Sequence, residues 1–244
     1  MSKIFVVGLG PGNAEDMTPR AKSAIEGADI IIGYNTYVDL IREIFPGKQF
    51  VSSGMTREVE RCELVLEKAL EGNTVALISS GDSGIYGMAG IMLEVVNKSG
   101  RNVPMEIIPG ITAATAAAAV LGAPVMHDFA VISLSDLMTP LEQIYRRIEY
   151  AAQGDFVICL YNPRSKGRID YIDTARDVIL KYREISTPVG IVRNAGRENE
   201  EYGITTLEKM LDFEIDMFTT VIIGNSATYI KNGRIITPRG YKIN

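Results

Sequence analysis

The residues that could do chemistry sit in glycine-rich turns. Ile4-Phe5-Val6-Val7 runs straight into Gly8-Leu9-Gly10-Pro11-Gly12-Asn13, where glycines free the backbone and Pro11 stiffens it. Such a turn lets a flat or bulky ligand approach the main chain, although a tight turn with no ligand has the same composition. A second turn, Ser79-Ser80-Gly81-Asp82-Ser83-Gly84-Ile85-Tyr86-Gly87, adds an acid, Asp82, able to accept from backbone or ligand donors. A third, Ile107-Ile108-Pro109-Gly110-Ile111-Thr112-Ala113-Ala114, places Thr112 at a helix start. Later in the chain, Tyr161-Asn162-Pro163-Arg164 and Arg193-Asn194-Ala195-Gly196-Arg197 put polar groups after apolar runs, where turn chemistry alone also favours them. His127 is the only imidazole, and with Asp128 it could carry a proton; a structural role at a strand start is an equal reading.

Two familiar nucleotide motifs fail on spacing. A GxGxxG fingerprint needs a small residue where Asn13 stands and an acid after the second strand, which instead ends Ile32-Gly33-Tyr34-Asn35. A nicotinamide oxidoreductase is thereby disfavoured. No GxxxxGK[ST] follows any strand. With 1 His and 2 Cys, Cys62 and Cys159, far apart in the sequence, neither a zinc site, a disulfide framework nor CxxC redox chemistry is suggested, and no metal site is expected.

The turns are positioned by a strand and helix alternation. Apolar runs at 4–7, 29–32, 74–79, 105–108, 129–134, 156–160, 189–192 and 219–223 read as buried strands. Amphipathic segments at 18–26, 57–71, 89–98, 140–152, 169–183 and 206–212 read as helices between them. That order predicts an α/β protein with mostly parallel sheets. Thr18-Pro19 and Thr139-Pro140 both read as an N-cap followed by proline at the first helical position. An alanine-rich helix at 111–121 ends at Gly122-Ala123-Pro124, which suggests two α/β domains, 1–121 and 122–244. Tyr229 to Ile236 is an Asn-Gly hairpin, expected as an antiparallel edge of the second sheet.

The chain has 244 residues, 46% hydrophobic and 23% charged, with a formal charge of -5 and both signs interspersed. That balance disfavours a nucleic-acid binder working by bulk electrostatics. No apolar run approaches the roughly 20 residues that span a bilayer, and no leader pattern opens the chain, so a cytoplasmic protein with no membrane partner is expected.

Taken in order, GLGPG at 8–12, GDSGIYG at 81–87, PGITA at 109–113 and YNP at 161–163 resemble the tetrapyrrole methylase family over essentially the whole chain. The stretch from Ala123 to Pro140 and the run Asn194-Ala195-Gly196-Arg197 are similar to one branch, the precorrin-3B C17-methyltransferases of cobalamin biosynthesis. The triplet GDP, more widespread in the family, is Gly81-Asp82-Ser83 here and lacks its proline.

The resemblance implies a two-domain fold with S-adenosylmethionine between the domains, S-adenosylhomocysteine as product, and a homodimer. It implies that Pro11 lies near the active cleft, that Ser80, Gly81, Asp82 and Ile85 line the methionine and ribose portion, and that Thr112 and Ala113 close the next wall. Asn162, Ala195 and Thr220 would surround the adenosine. Asp82 and His127 are the candidate catalytic groups. The implied reaction methylates C17 of precorrin-3B or cobalt-factor III with ring contraction, and the carboxylates of such a substrate make Arg57, Arg164, Lys166, Arg168 and Arg197 candidate contacts. Another tetrapyrrole methylase, acting elsewhere on a corrin ring or on uroporphyrinogen, and a non-catalytic nucleotide or tetrapyrrole binder are the competing readings.

Overall fold

The structure, a computed structural model, describes residues 2–165 and 167–242. The chain divides into two compact units, Met1–Ala113 and Ala114–Asn244, against an expected boundary near residue 122.

In the first unit the elements are β1 (Lys3–Gly8), α1 (Pro19–Gly27), β2 (Ile30–Tyr34), α2 (Asn35–Arg42), β3 (Gln49–Ser53), α3 (Glu58–Leu70), β4 (Thr74–Ser79), α4 (Ala89–Ser99) and β5 (Met105–Ile108). The strands form one sheet in the order β3-β2-β4-β1-β5, and every pairing is parallel. The continuous apolar runs have a simple cause: alternate residues are buried on opposite faces. Ile30, Ile32, Val75 and Leu77 pack with Cys62, Val65 and Met92 of α3 and α4. Ile31, Ala76 and Ile78 pack with Ala21, Ile25, Val38 and Ile41 of α1 and α2. The neighbours β1 and β4 are therefore followed by helices on opposite faces, and the crevice at such a reversal is where open α/β sheets bind ligands. Thr18 caps α1 as expected, its hydroxyl accepting the N–H of Ala21 at 3.1 Å with Pro19 beside it.

In the second unit, α5 (Ala113–Leu121) starts at the division and leads to β6 (Gly122–Ala123), β7 (Phe129–Ser133), α6 (Leu141–Gln153), β8 (Val157–Tyr161), α7 (Tyr171–Ile179), β9 (Pro188–Arg193), β10 (Glu201–Thr206), β11 (Thr219–Ile223), β12 (Tyr229–Lys231) and β13 (Arg234–Ile236). The main sheet runs β10-β9-β11-β8-β7. Ala114, Ala117, Ala118 and Leu121 pack on one face of it, against Val157, Cys159, Val192 and Ile222. Gly190 makes room there: a Cβ on it would lie 2.2 Å from Leu121 Cδ1, and the Leu121 side chain would have to move. Helices α6 and α7 cover the other face.

Four expectations need correction. The second sheet is not mostly parallel: only β7 and β8 pair in parallel, while β11 is antiparallel to both β8 and β9, and β10 is antiparallel to β9. A strand buried on both faces is apolar throughout in either direction, so its composition does not report direction. The segment 206–212 is not a helix of any length; it holds one 3₁₀ turn, Met210–Asp212, that buries Met210. The C-terminal hairpin forms, but β13 pairs with β6 in a separate three-stranded sheet rather than at the edge of the main one. Finally, Thr139 does not cap α6: Pro140 itself is the N-cap, with φ of -54° and ψ of 135° and no side-chain hydrogen bond.

Candidate active site

The three glycine turns of the first unit are knitted into one structure. Gly10 and Gly81 exchange backbone hydrogen bonds of 3.0 and 2.8 Å, which ties the turn after β1 to the turn after β4. Gly110, after β5, approaches so closely that a Cβ on it would stand 2.2 Å from the Gly81 carbonyl oxygen. A Cβ on Gly8 would lie 2.7 Å from that same oxygen. Gly10 and Gly81 have φ of +78° and +68°, which side chains resist. Gly8 and Gly110 are thus dictated by backbone-to-backbone contact at the carboxyl ends of neighbouring strands, and Gly81 by its backbone conformation.

Asp82 holds the turns from within. Its Oδ1 accepts the N–H of Gly84 at 2.8 Å and its Oδ2 accepts the N–H of Gly110 at 2.9 Å. Ser83 is fully buried and donates to the Ile108 carbonyl at 3.0 Å, while Ser79 Oγ accepts the Met88 N–H at 3.1 Å. In the first turn, Asn13 and Asp16 close a small loop through two hydrogen bonds of 2.7 Å. Pro11 is buried, Ser80 half-buried and Ile85 exposed. Thr112 and Ala113 lie beside Gly81, whose Cβ would be 3.7 Å from Thr112 Cα. Tyr86 is exposed with φ of +54°, a conformation rare for a bulky residue.

In the second unit, Asn162, Ala195 and Thr220 come to one end of the main sheet. Asn162 follows β8, Ala195 follows β9, and Thr220 near the start of antiparallel β11 pairs with Val192. Asn162 has φ of +50°, which asparagine tolerates. Its Nδ2 donates to Ser133 Oγ at 2.9 Å, and among the described residues its Oδ1 takes part in no hydrogen bond. The Tyr161 hydroxyl accepts the Ala114 N–H at 2.6 Å, satisfying one of the free amides at the start of α5.

His127 is not brought to that end. It precedes β7, whose first residue pairs with Val157 and whose last pairs with Tyr161, so it is separated from Asn162 by the length of a strand, about 13 Å. Its exposed ring accepts the Asp128 N–H at Nδ1, 3.0 Å away. Its neighbourhood is an ion-pair cluster. Asp155 meets Arg183 at 2.8 Å and accepts from Ser226 twice, at 2.6 and 3.0 Å. Burial works to raise the Asp155 carboxyl, but the Ser226 hydrogen bonds and the charges of Arg183 and His127 outweigh it and hold the group below its ordinary value.

The cationic candidates differ in how they are occupied. Arg57 is exposed, 3.7 Å from Glu60. Arg164 is committed to Asp173 at 3.0 Å and to the Ile169 carbonyl. Arg168 donates to Ser165 Oγ at 3.0 Å, and its buried Nη1, without a hydrogen bond, lies 3.9 Å from the Asp136 carboxylate. Arg197 is half-buried, and Lys166 lies outside the described residues. Sequence reasoning missed Arg61, which is only 4% exposed. Its place in the run Glu58-Val59-Glu60-Arg61-Cys62-Glu63 reads as a solvated helix face, and only the fold reveals its burial. The free thiols of Cys62 and Cys159 are both buried, which pushes each up to about 12. Among the described residues, no group of three or more His, Cys, Asp or Glu is placed to hold a metal ion, and no helix is long and apolar enough to cross a membrane.

The family described as Tetrapyrrole (Corrin/Porphyrin) Methylases matches residues 3–211. The chain belongs to the tetrapyrrole methylase family. A relative from Salmonella typhimurium, named a probable cobalt-factor III C(17)-methyltransferase, is 51% identical over 98% of this chain and 100% of its own. A Priestia megaterium protein named cobalt-factor III methyltransferase is 50% identical over 98% of this chain, which spans 45% of that longer protein. The solved structure of the methyltransferase CobJ matches with a TM-score of 0.91 at 34% identity, covering 98% of this chain and 100% of that one. Within this tetrapyrrole methylase, the first-unit glycine turns that carried the resemblance are joined by the Gly10 and Gly81 backbone pair and by the bond from Gly110 to Asp82.

Proposed function

We propose that the protein is an S-adenosylmethionine-dependent C-methyltransferase that methylates C17 of cobalt-factor III, with ring contraction, in cobalamin biosynthesis. The observation that carries this reading is the 51% identity, over 98% of this chain and 100% of the other, to a relative named for that reaction. A metal-free substrate, precorrin-3B, is the form that the experiment below separates.

The cofactor positions are Pro11, Ser80, Gly81, Asp82, Ile85, Thr112 and Ala113 in the first unit, and Asn162, Ala195 and Thr220 in the second. The residues fit such a ligand. Each Asp82 oxygen already accepts one amide and keeps capacity for a further donor, such as an ammonium or a ribose hydroxyl. Ile85 offers exposed apolar surface, and Asn162 Oδ1 is an acceptor suited to an amino group. When bound, S-adenosylmethionine supplies an electrophilic methyl on a sulfonium that departs as a neutral thioether. The protein's task is then alignment rather than protonation of a leaving group, and holding two reactants in near-attack geometry can supply roughly 7 to 11 kcal/mol. Asp82 serves that alignment by fixing the second turn against the third. We assign His127 to the Asp155 cluster rather than to the chemistry. A cytoplasmic homodimer completes the reading.

The test is an anaerobic incubation with methyl-labelled S-adenosylmethionine and cobalt-factor III, with precorrin-3B in parallel, read by mass spectrometry of the pigment. Label on cobalt-factor III is expected. Label on precorrin-3B alone reassigns the substrate, and binding of S-adenosylmethionine without label on either pigment overturns the reaction.

A further inference from the structure

We propose that Arg61 is the anchor for a carboxylate of the tetrapyrrole substrate, an inference that rests on the methyl-transfer reading above. Arg61 is a buried cation without a counter-charge. Its Nε donates to Ser53 Oγ at 2.9 Å, its Nη2 to the Gly54 carbonyl at 2.9 Å, and its Nη1 meets only the Met88 thioether at 3.7 Å. Among the described residues no carboxylate lies within 4.0 Å of it.

The chain compensates a buried guanidinium where the role is structural. The Arg183 side chain is 5% exposed and meets Asp155 at 2.8 Å. Taking a cation out of water without pairing it is costly, and neutral acceptors return only part of that cost. The position of Arg61 explains what it waits for. Ser53 ends β3, Gly54 follows it, and Met88 closes the second glycine turn at the start of α4. The guanidinium therefore lies at the carboxyl ends of the parallel strands, where open α/β sheets receive ligands. It also sits in the first turns of α3, a helix of 13 residues whose amino end favours anions.

The contact at Nη1 is the one a ligand can take. A thioether is a weak acceptor on a flexible side chain, whereas a carboxylate forms a shorter, charge-assisted bond and neutralises the cation. The cover over this corner is the loop 54–57, in which Met55, Thr56 and Arg57 are exposed. A substrate bearing several carboxylates can place one there with the Met88 side chain turned aside, which fixes the rotation of the macrocycle.

The experiment titrates cobalt-factor III into the S-adenosylhomocysteine-loaded protein by absorbance, for wild type, Arg61→Gln and Arg61→Lys. Cofactor affinity is measured by calorimetry and the melting temperature by scanning calorimetry. Arg61→Gln is expected to weaken pigment binding by about 10- to 100-fold, in line with a hydrogen bond to a charged group, with cofactor affinity unchanged. Arg61→Lys keeps the charge but loses the planar fork, and is expected to fall between. Methyl-esterified pigment, which loses every carboxylate contact at once, is expected to bind wild type no more tightly than the free acid binds Arg61→Gln, and to lose nothing further on the variant. Pigment affinity within twofold of wild type in Arg61→Gln overturns the proposal, as does an equal loss for acid and ester. If Arg61→Gln does not fold, Arg61→Lys is judged by the same two criteria. Arg61-dependent binding without methyl transfer upholds the anchor and sinks the reaction; methyl transfer with Arg61-independent binding does the reverse.

Discussion

Oδ2 of Asp82 accepts the backbone N–H of Gly110 at 2.9 Å, joining two turns separated by 28 residues of sequence. The other oxygen holds Gly84, so the carboxylate faces two amide donors and has no place for a donor of its own. Asp82→Asn must turn its NH₂ toward one of them. Losing one charged hydrogen bond costs about 1.5 to 3 kcal/mol, so S-adenosylmethionine binding by calorimetry is expected to weaken about tenfold or more as the turns move apart. A lower melting temperature with unchanged cofactor affinity would reduce Asp82 to a fold-stabilising residue.

Two glycines separate close approach from mere flexibility. A Cβ on Gly110 would collide with the Gly81 carbonyl at 2.2 Å, whereas one on Gly90, inside α4, meets nothing within 4 Å. Gly110→Ala is expected to destabilise by at least about 1 to 3 kcal/mol, the range for overpacking. Gly90→Ala should stabilise by about 0.4 to 1 kcal/mol through the unfolded chain. Urea unfolding of both variants measures the contrast, and equal midpoints would contradict the backbone contact.

The thiols supply a check on packing. Cys62 and Cys159 are wholly buried, and burial holds both up at about 12. Neither is expected to react with a disulfide reagent at pH 8 in the native protein, and both should react once urea unfolds it. A fast native thiol would show that the sheet around Cys159, or the α3 contact at Cys62, opens far below global unfolding.

Asp155 sets a response to acid. Its carboxyl is held below the ordinary value, so the stabilisation it gives is complete above the unfolded-state pKa and is lost as pH falls through the folded-state one. The window lies below the ordinary carboxylate value of about 3.9. Wild type should therefore lose melting temperature more steeply than Asp155→Asn below about pH 4, with parallel curves between pH 6 and 8. Parallel curves throughout would mean that the Ser226 and Arg183 contacts do not persist in solution.

Much of the first unit was legible from sequence, because β1 and β4 are apolar runs that end in turn residues and their glycine turns advertise backbone contact through residue type. Two edge strands were not. In β3, Gln49–Ser53, only Phe50 and Val51 are apolar, and β10, Glu201–Thr206, opens with an exposed glutamate and tyrosine. At a sheet edge the helices cover the faces only in part, so Phe50 and Val51 of β3 pack against opposite clusters yet stay half-buried, and the composition of the strand approaches that of a loop. The antiparallel insertion of β11 was equally hidden, since its apolar run fits either direction. Within the candidate site, Asp82 was visible because it stands between glycines, whereas the proposed anchor Arg61 stands among glutamates on an amphipathic helix. Its burial follows from where α3 docks, which no local pattern encodes.

His127 tests how far residue type can be trusted without position. An isolated imidazole next to an aspartate invites a proton-transfer role, and ring contraction requires proton movements. Yet β7 carries the chain from His127 at one end of the sheet to Ser133 and its partner Asn162 at the other. General acid or base catalysis needs hydrogen-bond reach, or one bridging water, and the length of a five-residue strand exceeds both. His127→Ala is therefore expected to keep kcat and both KM values within about twofold, too small a change to represent the loss of a general acid or base, which typically costs 10² to 10⁴. It should also raise the Asp155 carboxyl slightly, because one neighbouring positive group is gone. A hundredfold fall in kcat with unchanged cofactor affinity would return His127 to the chemistry.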